Sequence, residues 1–208
     1  MGGNLGGMLL PITVLTANAE EESAIRLAVR LADPSELGPG RVYARPEHGQ
    51  ALSDLLGDPG VSAPLYDLPR PITPETMRQW IDATADARAR GEGLLILNFD
   101  PTGMLAGYSE ITVWPERASA ELGGALRPSA QGGGHGAAGA FALFDWMFRT
   151  LKVRLIALTA AEDNVRSIKL IDKAGFRRMG LCEVAGPDRP LRVVYWEVTR
   201  EAWETMWG

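Results

Sequence analysis

The sequence predicts a mixed α/β domain, α/β in the α+β sense, built on a mostly antiparallel central sheet flanked by helices. Three observations predict it. Apolar runs at residues 94–99 and 104–113 flank Asp100-Pro101-Thr102-Gly103, whose turn chemistry reads as a hairpin. The near-continuous apolar run at 153–160 has the composition of a strand buried on both faces. Helically spaced segments lie between these strands and after them, so the second half reads strand–helix–strand–helix–strand. A length of 208 residues, 46% hydrophobic and 23% charged, suits one ordinary core.

Taken in order, residues 8–15 are apolar but short, contain Pro11 and lack a basic region, so they read as neither a signal peptide nor a membrane span. Residues 17–32 read as a helix with Ile25, Ala28, Val29 and Ala32 in one stripe and Glu22–Arg26 as an i,i+4 pair. Asp33-Pro34 stops it, and Gly38-Pro39-Gly40 is a turn. Residues 1–40 are therefore read as a leader with an extra helix, and 41–208 as the main domain. A short strand at 41–45 and a short helix at 47–56 precede a proline-rich loop at 57–72. Tyr66 and Leu68 in that loop are candidates to cover a substrate mouth, with an ordinary surface connection as the alternative.

Thr73-Pro74-Glu75 combines a capping hydroxyl, a first-turn proline and an acid, and Met77, Trp80, Ile81 and Thr84 continue the helix to Gly91. The strand at 119–126 carries Gly123-Gly124, which predicts a bulge or the close approach of a ligand. Asp163 or Asn164 caps a helix running to Ala174, with Val165, Ile168 and Ile171 facing inward. Strands at 176–184 and 191–198, joined through Gly186-Pro187-Asp188, and a helical turn at 201–207 complete the chain.

The most informative stretch is Gln131-Gly132-Gly133-Gly134-His135-Gly136, followed by an apolar helix at 137–150. Glycines without Cβ atoms, next to the free N–H groups and positive dipole end of a helix, make a seat for phosphate. No Gly-Lys-Ser/Thr follows, so a P-loop is excluded. Gly134-His135-Gly136-Ala137-Ala138-Gly139, with Glu162 downstream, fits the G-x-G-x-x-G spacing of an NAD-type oxidoreductase. Against that reading, Arg-Pro-Ser-Ala separates the preceding apolar run from the glycines. Too little chain follows for the rest of a doubly wound sheet.

Gln131-x-x-Gly134-x-Gly136 resembles the Q/R-x-x-G-x-G/A signature of the GNAT N-acetyltransferase superfamily. Residues 164–176, from Asn164 through Ser167 and Leu170 to Gly175-Phe176, look like that family's N-x-x-S-i-x-L-x-e-k-x-G-F segment. Ala120-Glu121-Leu122-Gly123, followed by Pro128, is similar to the branch that acetylates ribosomal-protein N-termini (alanine or serine). The resemblance covers roughly residues 41–204. It implies a GNAT-like sheet splayed at the cofactor site after the 119–126 strand, with acetyl-CoA as co-substrate and its pantetheine arm in the gap.

By that resemblance, Gln131, Gly132, Gly133, Gly134, His135, Gly136 and Ala137 would hold the pyrophosphate, backbone N–H groups near Leu126 would polarise the thioester, and Asn164 would bond the pantetheine. Many members carry a tyrosine acid at the position of Ile171, so Ser167 is the candidate acid here. A carboxylate is the expected base. Glu121 is the first choice, with Glu110 and Glu183 as alternatives. The acceptor would be an amine: a peptide N-terminus or a small molecule.

A net charge of −5 suits such a cationic partner and argues against nucleic acid. One cysteine, Cys182, excludes an internal disulfide, fits a reducing, cytoplasmic setting, and reads as a core residue rather than a nucleophile. With two histidines, no metal site is expected. No membrane partner is expected either, and a homodimer is compatible with the family. A non-catalytic acyl-CoA-binding module is the remaining alternative.

Overall fold

A computed structural model describes residues 10–130, 135–184 and 190–208 of the chain. Seven strands form one sheet: β1 Arg41–Tyr43, β2 Gly93–Phe99, β3 Leu105–Trp114, β4 Ser119–Leu126, β5 Leu155–Ala161, β6 Arg177–Val184 and β7 Leu191–Thr199. Their spatial order is β1-β2-β3-β4-β5-β7-β6. Every pairing is antiparallel except β4 with β5. The helices are α1 Ala19–Leu31, α2 Gly49–Leu56, α3 Pro59–Ser62, α4 Pro74–Arg90, α5 His135–Thr150, α6 Val165–Lys173 and α7 Arg200–Trp207.

Alternation along the strands divides the interior into two layers. One side of the sheet presents Leu94, Ile96, Ile111, Ala120, Ile156, Leu158 and Trp196 to α1, α5, α6 and α7. The other presents Leu95, Leu97 and Tyr108 to α2, α3 and α4. The hairpin and the caps are as their sequences dictate. Thr73 caps α4 by accepting from the Thr76 amide at 3.2 Å, and Gly91 ends it in the left-handed conformation. In α1, Ile25 and Val29 are fully buried in the larger core.

On the α4 side, the backbone at Ile12 and Thr13 lies against β7. The Thr13 amide donates to Glu197 at 3.0 Å, and Arg154 and Arg117 donate to the Thr16 and Pro11 carbonyls at 2.8 and 3.1 Å.

Several sequence expectations are corrected. Gly123-Gly124 makes no bulge: β4 stays in register with β3 from Ser119 to Leu126, and the irregularities fall at Asn98/Phe99 and Arg178/Gly180. Gly124 answers instead to close approach within the sheet, because a Cβ there would lie 2.5 Å from the Tyr108 carbonyl oxygen. Gly124→Ala is therefore expected to cost about 1–3 kcal/mol in urea unfolding. Gly123→Ala, whose Cβ would meet only Asp67 Oδ2 at 3.8 Å, should be far milder. Val165 is 56% exposed, because only Ile168 and Ile171 of its stripe reach the core. Cys182 is half-buried on β6 rather than a core residue.

Candidate active site

The site is organised by where one strand pair ends. β4 and β5 pair over three positions only, Ser119 with Leu155, Ala120 with Ile156 and Glu121 with Ala157. Beyond Glu121 the strands diverge, while β4 continues on β3 and β5 continues on β7. Because the Arg127 amide bonds the Ala106 carbonyl on β3 at 2.8 Å, alternation directs the backbone groups of Leu122 and Gly124 to the opposite edge, into the gap. This is the splayed sheet that the resemblance implied.

At the vertex, Glu121 is 4% exposed. Its Oε1 accepts from Thr159 Oγ1 at 3.1 Å, and Thr159 meets the Tyr66 hydroxyl at 2.6 Å. Its Oε2 is buried with no hydrogen-bond partner. Burial pushes the carboxyl up to about 8. The Thr159 bond opposes that rise, and the neighbouring Asp67 and Glu110 add to it.

Register explains the company Glu121 keeps. Glu110 pairs with Gly123, two residues along β4 from Glu121, so both acids share the α4 face. Glu110 accepts from Trp80 Nε1 at 2.9 Å, and burial raises it to about 7. Asp67, in the loop before α4, is also raised by burial. Three carboxyls thus converge on one face at the start of the gap, and a cationic amine is the species that such a field attracts.

The remaining predicted residues sort differently. Glu183 is exposed on β6, since its neighbour Cys182 takes the inward position, so it is not at the site. Asn164 caps α6: its Oδ1 accepts from the Ser167 amide at 3.2 Å, which leaves its amide N–H groups for a ligand. Ser167 is half-buried in the first turn of α6. Gln131, Gly132, Gly133 and Gly134 lie outside the described residues. His135, Gly136 and Ala137 form the first turn of α5, so the helix begins two residues earlier than expected.

Facing that helix is Arg41, with Nη2 3.7 Å from where a Cβ on Gly139 would lie, and burial lowers its pKa. A desolvated cation beside the positive end of a helix fits an anionic cofactor, as does a gap lined by β4 backbone groups.

Sequence reasoning missed Thr159, Asp67 and Arg41. Thr159 left a signal, being the one hydroxyl in the run Leu155–Ala161 before the strand's last residues. Asp67, in an irregular loop, left none.

The dinucleotide reading fails on two counts. One parallel pair in a seven-stranded sheet is not a doubly wound fold, and Glu162 is engaged by Arg192 Nη1 at 3.4 Å instead of facing a ribose site.

Residues 17–177 match the sequence profile described as the Acetyltransferase (GNAT) domain. Among solved structures, the ribosomal-protein-S5-alanine acetyltransferase from Vibrio fischeri is similar with a TM-score of 0.67 at 14% identity, over 78% of this chain and 93% of that one. RimL, a ribosomal L7/L12 alpha-N-protein acetyltransferase in complex with coenzyme A, gives 0.68 at 20% identity, over 80% and 97% of the two chains. Mycobacterium smegmatis RimJ in complex with a CoA-disulfide gives 0.66 at 17%, over 77% and 81%. No curated protein sequence matches.

Proposed function

The chain belongs to the GNAT acetyltransferase family, and from that premise we propose that it moves an acetyl group from acetyl-CoA to a primary amine by direct transfer in a ternary complex. The observation that carries this reading is Glu121: a buried carboxyl with one oxygen unpartnered, at the vertex where β4 and β5 part. Acetyl-CoA supplies the activated acyl group. The first turn of α5, the glycine stretch before it and Arg41 bind its phosphates. The Asn164 side-chain amide and the gap-facing backbone of β4 hold its pantetheine arm.

The amine enters from the α4 face, where Asp67 and Glu110 draw its ammonium form, and Glu121 Oε2 takes a proton from it. Backbone N–H groups near Leu126 support the oxyanion. Ser167 relays a proton from water to the leaving sulfur. Cys182, on β6 beyond β7, has no part in this scheme.

A peptide or protein N-terminus is the acceptor class this reading favours. Two of the similar folds, the ribosomal-protein-S5-alanine acetyltransferase and RimL, act on ribosomal proteins, and the site is acidic. Among the described residues no helix is long and apolar enough to cross a membrane. We place the reaction in the cytoplasm, where acetyl-CoA and new N-termini meet.

The test is a thiol-release assay with acetyl-CoA against alanyl and seryl peptides, polyamines and aminoglycosides. Saturable release that depends on one amine class supports the reading. Acetyl-CoA binding with no release on any amine overturns it in favour of a binding module.

The two roles of Asn164 separate cleanly. Asn164→Asp keeps a good cap but removes the amide N–H groups, so it should hold stability within about 0.5 kcal/mol while raising KM for acetyl-CoA. Asn164→Ala should lose the cap as well, about 1 kcal/mol in chemical unfolding.

A further inference from the structure

We propose that the Tyr66 and Thr159 hydroxyls form a relay that fixes which oxygen of Glu121 meets the acceptor and passes the abstracted proton to solvent. This rests on the reading of Glu121 as the base. The relay starts from placement. Thr159 stands two residues beyond Ala157, the last β5 residue paired with β4, so it shares the face of Glu121 and stands beside the opening gap. Tyr66, half-buried, reaches it from the loop before α4.

With Glu121 ionised, the form that acts as base, hydrogen-bond direction is fixed. An ionised carboxylate only accepts. Thr159 therefore spends its single proton on Glu121 Oε1 at 3.1 Å, and Tyr66 must be the donor in the 2.6 Å contact with Thr159. Oε1 is occupied, and Oε2 is the oxygen left for the amine.

A base that is 4% exposed needs an exit for its proton, because a bound acceptor closes the way it came. Once Oε2 has taken the proton, a half-turn of the carboxyl brings that O–H to Thr159. Glu121 then donates to Thr159 Oγ1, Thr159 to the Tyr66 oxygen, and Tyr66 to water. Three O–H bonds break and three form with water protonated. Glu121 is again ionised, and both hydroxyls stay neutral. Burial raises Tyr66 well above its ordinary value, so the phenol does not ionise at neutral pH and can act only by exchanging one proton for another.

The titratable groups facing Glu121 are Asp67 from the loop before α4, Glu110 from β3, Tyr66, and Tyr195 from β7. Cys182 and Glu197 lie beyond the phenols. None of these others bonds to Thr159 among the described residues.

The experiment uses the full chain, acetyl-CoA and the fastest amine of the panel above. Tyr66→Phe keeps the ring and removes the oxygen. Thr159→Val keeps the shape, and Thr159→Ser restores the hydroxyl. Tyr66→Phe should lower kcat about tenfold or more at unchanged KM for acetyl-CoA, alter the solvent deuterium isotope effect on kcat, and recover partly with added imidazole. Thr159→Val should also raise the pH of the ascending limb of kcat/KM, since a donor to the carboxylate is lost. Thr159→Ser should return both.

Wild-type kcat and pH limb in Tyr66→Phe and Thr159→Val, with Glu121→Gln inactive, would overturn the relay and leave the base reading intact. Lower kcat with an unchanged isotope effect and no imidazole rescue would mark a merely structural role and overturn it equally. An active Glu121→Gln would instead overturn the base reading beneath it.

Discussion

Glu121→Gln is expected to lower kcat by about 10²–10⁴-fold, the contribution of a positioned general base. The part of the ascending pH–rate limb that Glu121 contributes should disappear with it. On the proposed mechanism the working form is ionised, and the carboxyl is raised to about 8, so kcat/KM should climb with pH and level off above that value. Amine ionisation adds its own limb, which the variant keeps, so subtracting the two profiles isolates Glu121.

The same shift carries a stability consequence of definite sign. The folded pKa lies above the ordinary 4.5, so between about pH 4.5 and 8 the folded state binds more protons than the unfolded one. Stability therefore falls as pH rises through that window, by about 5 kcal/mol in all for the whole shift. Glutamine does not titrate. Unfolding free energies of variant and wild type, measured at intervals from pH 4 to pH 9, should diverge upward in favour of the variant. Parallel curves would show that Glu121 is not held in a desolvated site.

The layout around Glu121 marks where sequence reasoning reaches and where it stops. The apolar runs, the hairpin turn and the caps at Thr73 and Asn164 are local, and local chemistry makes them visible. That β4 and β5 part after three pairs is not local, and only the resemblance supplied it. Choosing among Glu110, Glu121 and Glu183 needed the pairing register. One position of alternation turns Glu183 outward, while register sets Glu110 beside Glu121. Asp67 was hidden because a loop imposes no period on its side chains. Gly123-Gly124 misled for a related reason: glycine records that space is short, but not whether a ligand or the neighbouring strand takes it.

Trp203→Ala is the substitution expected to cost most in stability. Trp203 is 3% exposed and sits at the centre of an aromatic cluster, with ring centroids of Phe141, Phe144, Phe148, Phe176 and Trp207 between 5.6 and 6.4 Å away. Its helix, α7, has eight residues, too few to persist without tertiary contacts, and Trp203 is the buried residue that supplies them. Truncation removes a large apolar side chain and opens a void that five rings must collapse to fill. A loss of about 3–5 kcal/mol follows, near a 10 °C fall in Tm for a chain of this size. Urea unfolding and a thermal melt measure it, and Trp203→Phe should recover part. The effect should also reach the site from one side only. Phe141 and Phe144 belong to α5, whose first turn is the proposed phosphate seat, so KM for acetyl-CoA should rise in Trp203→Ala. Glu121 faces the opposite layer of the sheet, so the pH limb near 8 should stay where it is. A displaced limb would mean that the two layers are mechanically coupled through β4, and that cofactor and acceptor halves of the site cannot be varied independently.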